Sequence, residues 1–261
     1  AHIFPDIKKS NHYDILAENS IFSSYFRKDT RIFTGMGDLP AVCYYNDIYS
    51  ENKALMNFGT GSQVAVSFPF ESSEFRNTEK ELNRFIGVKP DQILYLGANL
   101  NSGVVINWLK QLFGVKNEEI NELLKKSSAG AGGLKFLPYL IGERCPYFKP
   151  DLKGSLRGLT VDTDIEDIFR AAFEGILFNI KEAYSMLPNK NNINEIKLTG
   201  GLKNNPVFCQ LAADILNLPV LIGKESENAV MGAGLIPLKN KINYELKEKE
   251  YIPRKNMVKE Y

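Results

Sequence analysis

Histidine and cysteine are scarce in this sequence of 261 residues. The only histidines are His2 and His12, so the body of the chain has no histidine for a catalytic triad or a zinc site. The three cysteines, Cys43, Cys145 and Cys209, are odd in number and far apart, which excludes a disulfide framework and a Cys-x-x-Cys metal clip. We therefore expect reduced thiols, no metal held by protein side chains, and acid–base chemistry carried by carboxylate, lysine, tyrosine or cysteine groups.

Long apolar runs and an excess of charge of one sign are also missing. No run of 18 or more apolar residues occurs, and residues 1–6 have neither the basic start nor the apolar stretch of a signal peptide. The 32 basic and 31 acidic side chains give a net charge of +1, so no charge excess indicates duplex nucleic acid or an anionic membrane. The sequence predicts a cytoplasmic protein that binds neither nucleic acid nor membrane.

Apolar side chains are plentiful, and their pattern predicts the fold class. Hydrophobic residues make up 44% of the chain, with 16 Phe and 12 Tyr, which is enough for a sizeable core. From residue 29 onward, short β-rich runs alternate with amphipathic helical stretches, a pattern typical of α/β proteins. Strands are predicted at residues 54–58, 63–68, 93–96, 195–198 and 219–222. Helices are predicted at residues 103–113, 118–126 and 229–238, from a capping box of Thr163 and Glu166 to Leu187, and from Asn205 and Pro206 onward.

The connections between these elements carry further predictions. The first two strands form a hairpin, and the two strands that flank the helix after Asn205 form a βαβ unit with it. The tail from residue 239 mixes lysine and glutamate evenly, which predicts a solvated helix or a frayed end.

Three stretches of small residues stand where backbone amides can approach a phosphate without a side chain in the way. They are Gly59-Thr60-Gly61-Ser62, Thr199-Gly200-Gly201-Leu202 and residues 227–234. The second matches neither the dinucleotide fingerprint nor the P-loop pattern. Each stretch also has a purely structural interpretation: a hairpin turn, a tight strand-to-helix turn, and close packing between two helices.

Asp38 is the strongest candidate for a catalytic group. It lies between Gly37 and Leu39, after the short apolar run 31–34, and a carboxylate beside glycines is sterically open to a substrate hydroxyl, as a general base must be. The alternative is that Asp38 caps a following helix.

The order of these segments resembles the FGGY family of carbohydrate kinases. The stretch from Gly154 to Glu174 satisfies the family's carboxyl-terminal signature at every position. Upstream, Gly142-Glu143-Arg144-Cys145-Pro146 resembles a segment common in xylulose and gluconate kinases. Downstream, the glycines of Thr199-Gly200-Gly201-Leu202 with the following asparagines resemble the adenosine-binding motif. The resemblance implies an actin-like ATPase (ribonuclease H-like) domain, which is an α/β fold with a mixed sheet flanked by helices.

The resemblance also implies site residues and cofactors. Asp38 falls on the family's catalytic base, and ATP with Mg²⁺ is the implied cofactor. The positions that it implies for nucleotide binding are Gly59 and Thr60 at the transferred phosphoryl group, Gly103 and Asn107 beside the phosphates, and Gly200 and Gly201 with either Asn204 or Asn205 at the adenosine.

The implied reaction is phosphorylation of a primary hydroxyl of a small sugar. Residues 55–65 and 98–103 most resemble sedoheptulose kinases, with xylulose and gluconate kinases as the alternative. Family members are nearly twice as long, so residues 1–50 are predicted to end the amino-terminal domain and residues 51–261 to form the carboxyl-terminal nucleotide-binding domain. The resemblance leaves a homodimer open.

Two rival functions follow from the same residues. The chain lacks the family's first phosphate loop and its metal-associated aspartate, which favours a nucleotide-binding module without activity of its own. The other rival is a non-sugar ATPase of the actin-like group, against which the stretch from Gly154 to Glu174 argues.

Overall fold

The computed structural model describes residues 8–50, 52–69, 82–86, 91–188, 190–225, 227–238 and 248–261. Contacts divide the chain into a smaller unit, within Ala1–Asp47 and Glu227–Glu245, and a larger unit, within Ile48–Ser226 and Leu246–Tyr261. The strands of the described residues are β1 (Tyr13–Ile15), β2 (Arg31–Phe33), β3 (Lys53–Phe58), β4 (Ser62–Pro69), β5 (Asn83–Ile86), β6 (Gln92–Asn99), β7 (Lys135–Leu137), β8 (Ser155–Arg157), β9 (Glu195–Gly200), β10 (Val220–Gly223) and β11 (Glu248–Tyr251). The α-helices are α1 (Asp38–Tyr45), α2 (Gly103–Phe113), α3 (Asn117–Lys126), α4 (Ile165–Ser185), α5 (Pro206–Leu216), α6 (Asn228–Leu238) and α7 (Lys255–Val258).

The smaller unit combines the antiparallel pair β1–β2 with the helices α1 and α6. The two helices lie so close that a Cβ on Gly232 would stand 1.9 Å from the carbonyl oxygen of Ala41. Asn46 Nδ2 donates to Asn228 Oδ1 at 3.1 Å beside this contact. Gly232 of the stretch 227–234 therefore serves close helix packing, as the structural interpretation of this stretch predicted, whereas a Cβ on Gly234 would meet no atom within 4 Å.

The larger unit is built on a seven-stranded sheet in the order β11-β10-β9-β3-β4-β6-β5. The pairs β10–β9 and β9–β3 are parallel, and the other four pairs are antiparallel, so the sheet is mixed. The β3–β4 hairpin and the unit β9–α5–β10 confirm both predicted connections. The predicted α/β class with a mixed sheet is thus confirmed.

The alternation of side chains along the strands determines where the core lies. The main apolar cluster lies against one side of the sheet. That side carries Met56, Val64 and Tyr95, each of which is at most 1% exposed. On this side α4 approaches β6 closely, because a Cβ on Gly97 would lie 3.1 Å from the Cβ of Ala183. The 21-residue helix α4 is therefore the central core helix, as its apolar pattern predicted.

Two details of the predicted elements are wrong. Asp164, not Thr163, is the N-cap residue of α4, and the side-chain oxygen of Thr163 instead accepts a hydrogen bond from the backbone N–H of Thr160 at 2.9 Å. The tail, predicted as a solvated helix or a frayed end, contains the strand β11 followed by the short helix α7, while residues 239–247 lie outside the described residues. None of the helices that the structure describes has the length and apolar character of a membrane span.

Candidate functional site

Three strands of the larger unit end at the same edge of the sheet. β3 and β9 are parallel, and their last residues, Phe58 and Gly200, are paired. β4 is antiparallel to both β3 and β6, so β6 runs in the same direction as β3, and its last residue, Asn99, is paired with Ser62. Ligands of α/β proteins bind beyond the carboxyl ends of such strands. A ligand is therefore expected at the segments that follow Phe58, Asn99 and Gly200.

The turn after β3 is bonded to the start of α2. The backbone N–H groups of Gly103 and Val104 donate to the carbonyl oxygens of Gly59 and Thr60 at 3.0 and 3.1 Å. The contact requires glycine, because a Cβ on Gly103 would lie 2.6 Å from the carbonyl oxygen of Gly59. Gly59 and Thr60 themselves remain exposed. Hydrogen bonds from α2 thus fix the turn, while Gly59 and Thr60 stay accessible.

The segment after β9 is a 3₁₀ helix, Gly201–Asn204, followed by α5. Gly200 has a φ of +88°, and a Cβ there would lie 2.4 Å from the carbonyl oxygen of Phe58, so only glycine fits. A Cβ on Gly201 would meet no atom within 4 Å. Asn205 is the N-cap of α5, and its Oδ1 accepts from the backbone N–H of Phe208 at 2.9 Å.

Lys203 anchors this 3₁₀ helix to the end of the neighbouring strand β10. Lys203 Nζ donates to the carbonyl oxygen of Gly223 at 3.2 Å and also to that of Glu225. Desolvation lowers the pKa of Lys203, with the charge of Glu225 acting in the opposite direction. The ammonium group is therefore used in holding the turn.

A cavity of about 470 Å³ lies where these segments meet. Seven of the eight predicted nucleotide-binding residues line it: Gly59, Thr60, Gly103, Asn107, Gly201, Asn204 and Asn205. Gly200 is not among the lining residues and instead packs against the backbone of Phe58. The structure thus brings together predicted residues from three separate parts of the sequence.

Asp38 belongs to the smaller unit, where it is the first residue of α1. Its side chain is exposed, and its Oδ1 accepts a hydrogen bond from the backbone N–H of Leu39 at 2.7 Å. The N-cap of α1 is Gly37, so Asp38 occupies the first helical turn, where a negative charge is favourable.

Helix α3 also contributes to the cavity, which the sequence did not reveal. Asn117, Ile120 and Asn121 line it together with Ile106 and with Phe173 of α4. The spacing of Asn117 and Asn121, four residues apart, places both amides on one side of the helix. That spacing was visible in the sequence, but only the packing of α3 beside α4 and α5 relates it to the glycine turns.

The cavity combines polar and apolar groups and is uncharged among the described residues. The described residues that line it carry amide, hydroxyl and apolar groups, and none carries a charged side chain. The open backbone at Gly59 and Gly201, where an added Cβ would find space, fits a ligand that approaches the main chain closely. Apolar Ile106, Ile120 and Phe173 suit a flat ring, and the asparagines suit its polar edge. These features fit a nucleotide.

No group of three or more His, Cys, Asp or Glu side chains that could hold a metal ion occurs among the described residues. The three cysteines are free thiols, as predicted, and all three are buried.

Comparison with known proteins identifies the relatives of this chain. Residues 54–237 match the FGGY family of carbohydrate kinases, C-terminal domain. A xylulose kinase of Staphylococcus xylosus is 36% identical over 193 residues, which are 72% of this chain and 39% of that protein. A gluconokinase of Bacillus licheniformis is 31% identical over 152 residues, 53% of this chain and 30% of that protein. The chain thus spans less than half the length of these relatives.

Solved structures agree with these matches in fold. A ligand-bound xylulose kinase from Lactobacillus acidophilus superposes with a TM-score of 0.86 at 24% identity, covering 98% of this chain and 54% of that chain. A glycerol kinase from Plasmodium falciparum with ADP gives a TM-score of 0.76 at 22% identity, covering 96% and 53%. The expected actin-like fold is thereby confirmed. Because the family match extends over most of its length, the chain belongs to the FGGY family of carbohydrate kinases.

Proposed function

We propose that this chain supplies the nucleotide-binding part of a kinase that transfers a phosphoryl group from ATP to a primary hydroxyl of a small sugar. The observation that carries the proposal is the convergence of Gly59, Asn107 and Gly201, which are far apart in sequence, on one uncharged cavity at the carboxyl ends of parallel strands. Residues 1–50 would then end the amino-terminal domain, and residues 51–261 would form the carboxyl-terminal domain.

Each part of the cavity has a role in this proposal. Gly59 and Thr60 would hold the phosphoryl group through backbone amides and the Thr60 hydroxyl, with Gly103 and Asn107 beside the phosphates. Gly201 would allow the adenosine to approach the backbone. Of the two asparagines, Asn204 is the better candidate for the adenine, because it is exposed and the side-chain oxygen of Asn205 already caps α5.

Positioning and charge stabilisation account for most of the catalysis in such phosphoryl transfers. Because no charged side chain lines the cavity in the described residues, the phosphates would be neutralised chiefly by the Mg²⁺ that accompanies ATP. Asp38 is proposed as the general base that accepts the proton of the attacking hydroxyl.

The sugar is proposed from the names of the relatives. The names of the relatives favour xylulose or gluconate. Sedoheptulose, which the motifs at residues 55–65 and 98–103 suggested, has no support from these names. We therefore propose a ketose such as xylulose as the first substrate to test, with gluconate and sedoheptulose as alternatives.

Calorimetric titration of the 261-residue chain with ATP and Mg²⁺ tests the nucleotide site. We expect saturable heat with ATP alone, and a second titration with xylulose, gluconate or sedoheptulose present shows which sugar changes it. Absence of binding at millimolar ATP would contradict the nucleotide site. Sugar-dependent release of ADP by this chain alone would exclude the rival function, a nucleotide-binding module without activity of its own.

Substitution of Asp38 tests the proposed base. In the protein that contains this chain and phosphorylates its sugar, Asp38→Asn should lower kcat by roughly 10² to 10⁴, while ATP affinity stays unchanged. Asp29→Asn is a matched control, because Asp29 is an exposed carboxylate of the same unit that pairs with Arg27. Wild-type turnover of Asp38→Asn would show that another group accepts the proton.

A further inference from the structure

Glu143, in the connection between β7 and β8, is a buried carboxylate bound by several hydrogen-bond donors. The residue is only 2% exposed. Oε1 accepts from the backbone N–H groups of Leu100 at 2.7 Å and Arg144 at 2.8 Å. Oε2 accepts from the side-chain amides of Asn179 at 2.6 Å and Asn101 at 3.3 Å. All four donors are uncharged N–H groups.

This bonding pattern requires a hydrogen-bond acceptor at both oxygens of the side chain. Four donors converge on two oxygens, which is what a carboxylate, an acceptor at both atoms, can satisfy. A glutamine has the same shape, but it would direct N–H groups at one of the two donor pairs. A buried carboxylate without a cationic partner is costly, so four hydrogen bonds are needed to offset its desolvation.

The segment held by Glu143 is the connection between β6 and α2. Leu100 and Asn101 donate to the carboxylate, and the next residue, Ser102, is the N-cap position of α2. Asn101 is fixed further, because its Nδ2 donates to the carbonyl oxygen of Gly142 at 2.6 Å and its Oδ1 accepts from Ile141 at 3.3 Å. The loop around Glu143 and the loop before α2 thus form one bonded unit.

The same connection supports the turn at Gly59 and Thr60, which follows β3 and is proposed to bind phosphate. Ser102, Gly103 and Val104 donate backbone hydrogen bonds to the carbonyl oxygens of Gly59 and Thr60 at 3.0–3.3 Å. Packing adds to this support, because a Cβ on Gly61 would lie 2.5 Å from the carbonyl oxygen of Asn99. A shift of the connection by even a few tenths of an ångström would therefore move the turn.

We propose that Glu143 is a positioning residue for phosphate binding: its carboxylate fixes the β6–α2 connection, and this connection fixes the turn at Gly59 and Thr60. The proposal rests on the proposed nucleotide site. It assigns a role to the glutamate of the Gly-Glu-Arg segment that involves no contact with the ligand, since Glu143 is not among the residues that line the cavity.

The test is Glu143→Gln, with two measurements on the 261-residue chain. Hydrogen exchange of the amides of Ser102, Gly103 and Val104 reports the contacts with the turn, and we expect it to become about tenfold faster, as for the loss of one charge-assisted hydrogen bond. Affinity for ATP should fall about tenfold, whereas affinity for adenosine, which lacks the phosphates, should change less than about twofold.

Asp214→Asn is the matched control for general loss of stability. Asp214 is a buried carboxylate of the same unit, 1% exposed, but its donors are Gln210 and Arg254, remote in sequence from the β6–α2 connection. This variant should lower the unfolding midpoint without changing the ratio of ATP to adenosine affinity. If Glu143→Gln does not fold, Asn179→Ala removes a single donor and should give a smaller change in the same direction.

Three outcomes show whether Glu143 positions the turn for phosphate binding. Faster exchange at the three amides together with a lower ATP-to-adenosine ratio, seen for Glu143→Gln and not for Asp214→Asn, supports the proposal. Unchanged exchange and an unchanged ratio, with only a lower unfolding midpoint, overturn it. If the wild-type chain fails to bind ATP, the proposed function is contradicted, and the exchange of Ser102, Gly103 and Val104 still shows whether Glu143 holds the turn.

Discussion

Two neighbouring glycines at the end of β9 have opposite environments. Gly200 has a positive φ and presses against the backbone of Phe58, whereas a Cβ on Gly201 would project into open space. The sequence shows two glycines in a turn and gives no means to tell them apart. Only the pairing of β9 with β3, an interaction between residues far apart in the chain, separates a glycine needed for folding from one that leaves room for a ligand.

Substituting each glycine by alanine should separate stability from binding. Gly200→Ala combines an unfavourable φ with a clash against backbone, so we expect a loss of about 2 kcal/mol or more in the free energy of unfolding. Gly201→Ala should leave this free energy nearly unchanged and weaken ATP binding, because the new methyl group takes space in the cavity. Urea unfolding and calorimetric titration measure the two effects.

Gly223→Ala serves as the control for both variants. Gly223 ends the neighbouring strand β10, has no positive φ, and a Cβ there would meet no atom within 4 Å. Neither stability nor ATP affinity should fall in this variant. A Gly200→Ala protein as stable as the wild type would show that the close contact with Phe58 is relieved by movement of the strands.

At the scale of secondary-structure elements, helix ends show how far sequence patterns reach. Asn205 followed by Pro206 predicted the start of α5, and the structure confirms it with a side-chain cap. Thr163 with Glu166 fits the capping-box pattern equally well, yet α4 begins two residues after Thr163. The hydroxyl of Thr163 bonds back to Thr160, a local alternative that competes with capping and that the pattern does not reveal.

The asparagines before α5 give a prediction that belongs to this element. Asn205→Ala removes the cap and should lower the free energy of unfolding by about 1 kcal/mol. Asn204→Ala should leave it unchanged, because Asn204 is exposed, but should weaken binding of ATP and of adenosine alike. Thermal unfolding and calorimetric titration of both variants measure these effects. Equal loss of ATP affinity in the two variants would contradict the preference for Asn204 at the adenine.

β11 shows why the tail was not predicted as a strand. Its residues are mostly lysine and glutamate, which favour solvent, but an edge strand tolerates charge. Oε2 of Glu248 on β11 forms an ion pair with Nζ of Lys197 on β9 at 2.6 Å. Lys197 is only 5% exposed. Beyond β11, Arg254 binds the buried Asp214 of α5 at 2.6 Å. Two charges of the described tail, those of Glu248 and Arg254, are therefore paired with partners that lie far away in the sequence.

At the scale of the whole molecule, the individual strands, turns and helices were easier to predict from the sequence than the cavity that they form together. Glycine turns, strands and helices follow from local patterns, and the motif from Gly154 to Glu174 led to the family. The contribution of α3 to the cavity did not follow, because Asn117 and Asn121 have no local signal for a ligand. Such residues are related to the turns only by the tertiary packing of the larger unit.

The cysteines allow a prediction about the folded chain as a whole. All three thiols are buried, with side chains at most 1% exposed, so the native protein should react slowly with a thiol reagent at pH 8. After unfolding in urea, all three should react quickly. Counting modified thiols by mass spectrometry before and after addition of urea checks this. Rapid modification of one thiol in the native protein would indicate local opening around it.

Burial of Cys209 also predicts how stability depends on pH. Desolvation raises the pKa of its thiol from 9.0 to about 12, so between these values the unfolded chain ionises while the folded chain does not. The stabilisation is complete below pH 9 and should decline by about 1.4 kcal/mol per pH unit above it. Urea unfolding of the wild type and of Cys209→Ala at pH 8 and pH 10 measures the difference, which should shrink at the higher pH.

The edge of the sheet that carries the cavity has short connections, residues 59–61 and 100–102, whose backbones are fixed against each other. At the opposite edge, the connection between α4 and β9 is longer, at residues 186–194. The connection between α4 and β9 should therefore tolerate a change in chain length, whereas the two connections beside the cavity should not. An epitope or a fluorescent reporter should be inserted between α4 and β9, and insertions accumulated by homologous chains should be found there rather than beside the cavity.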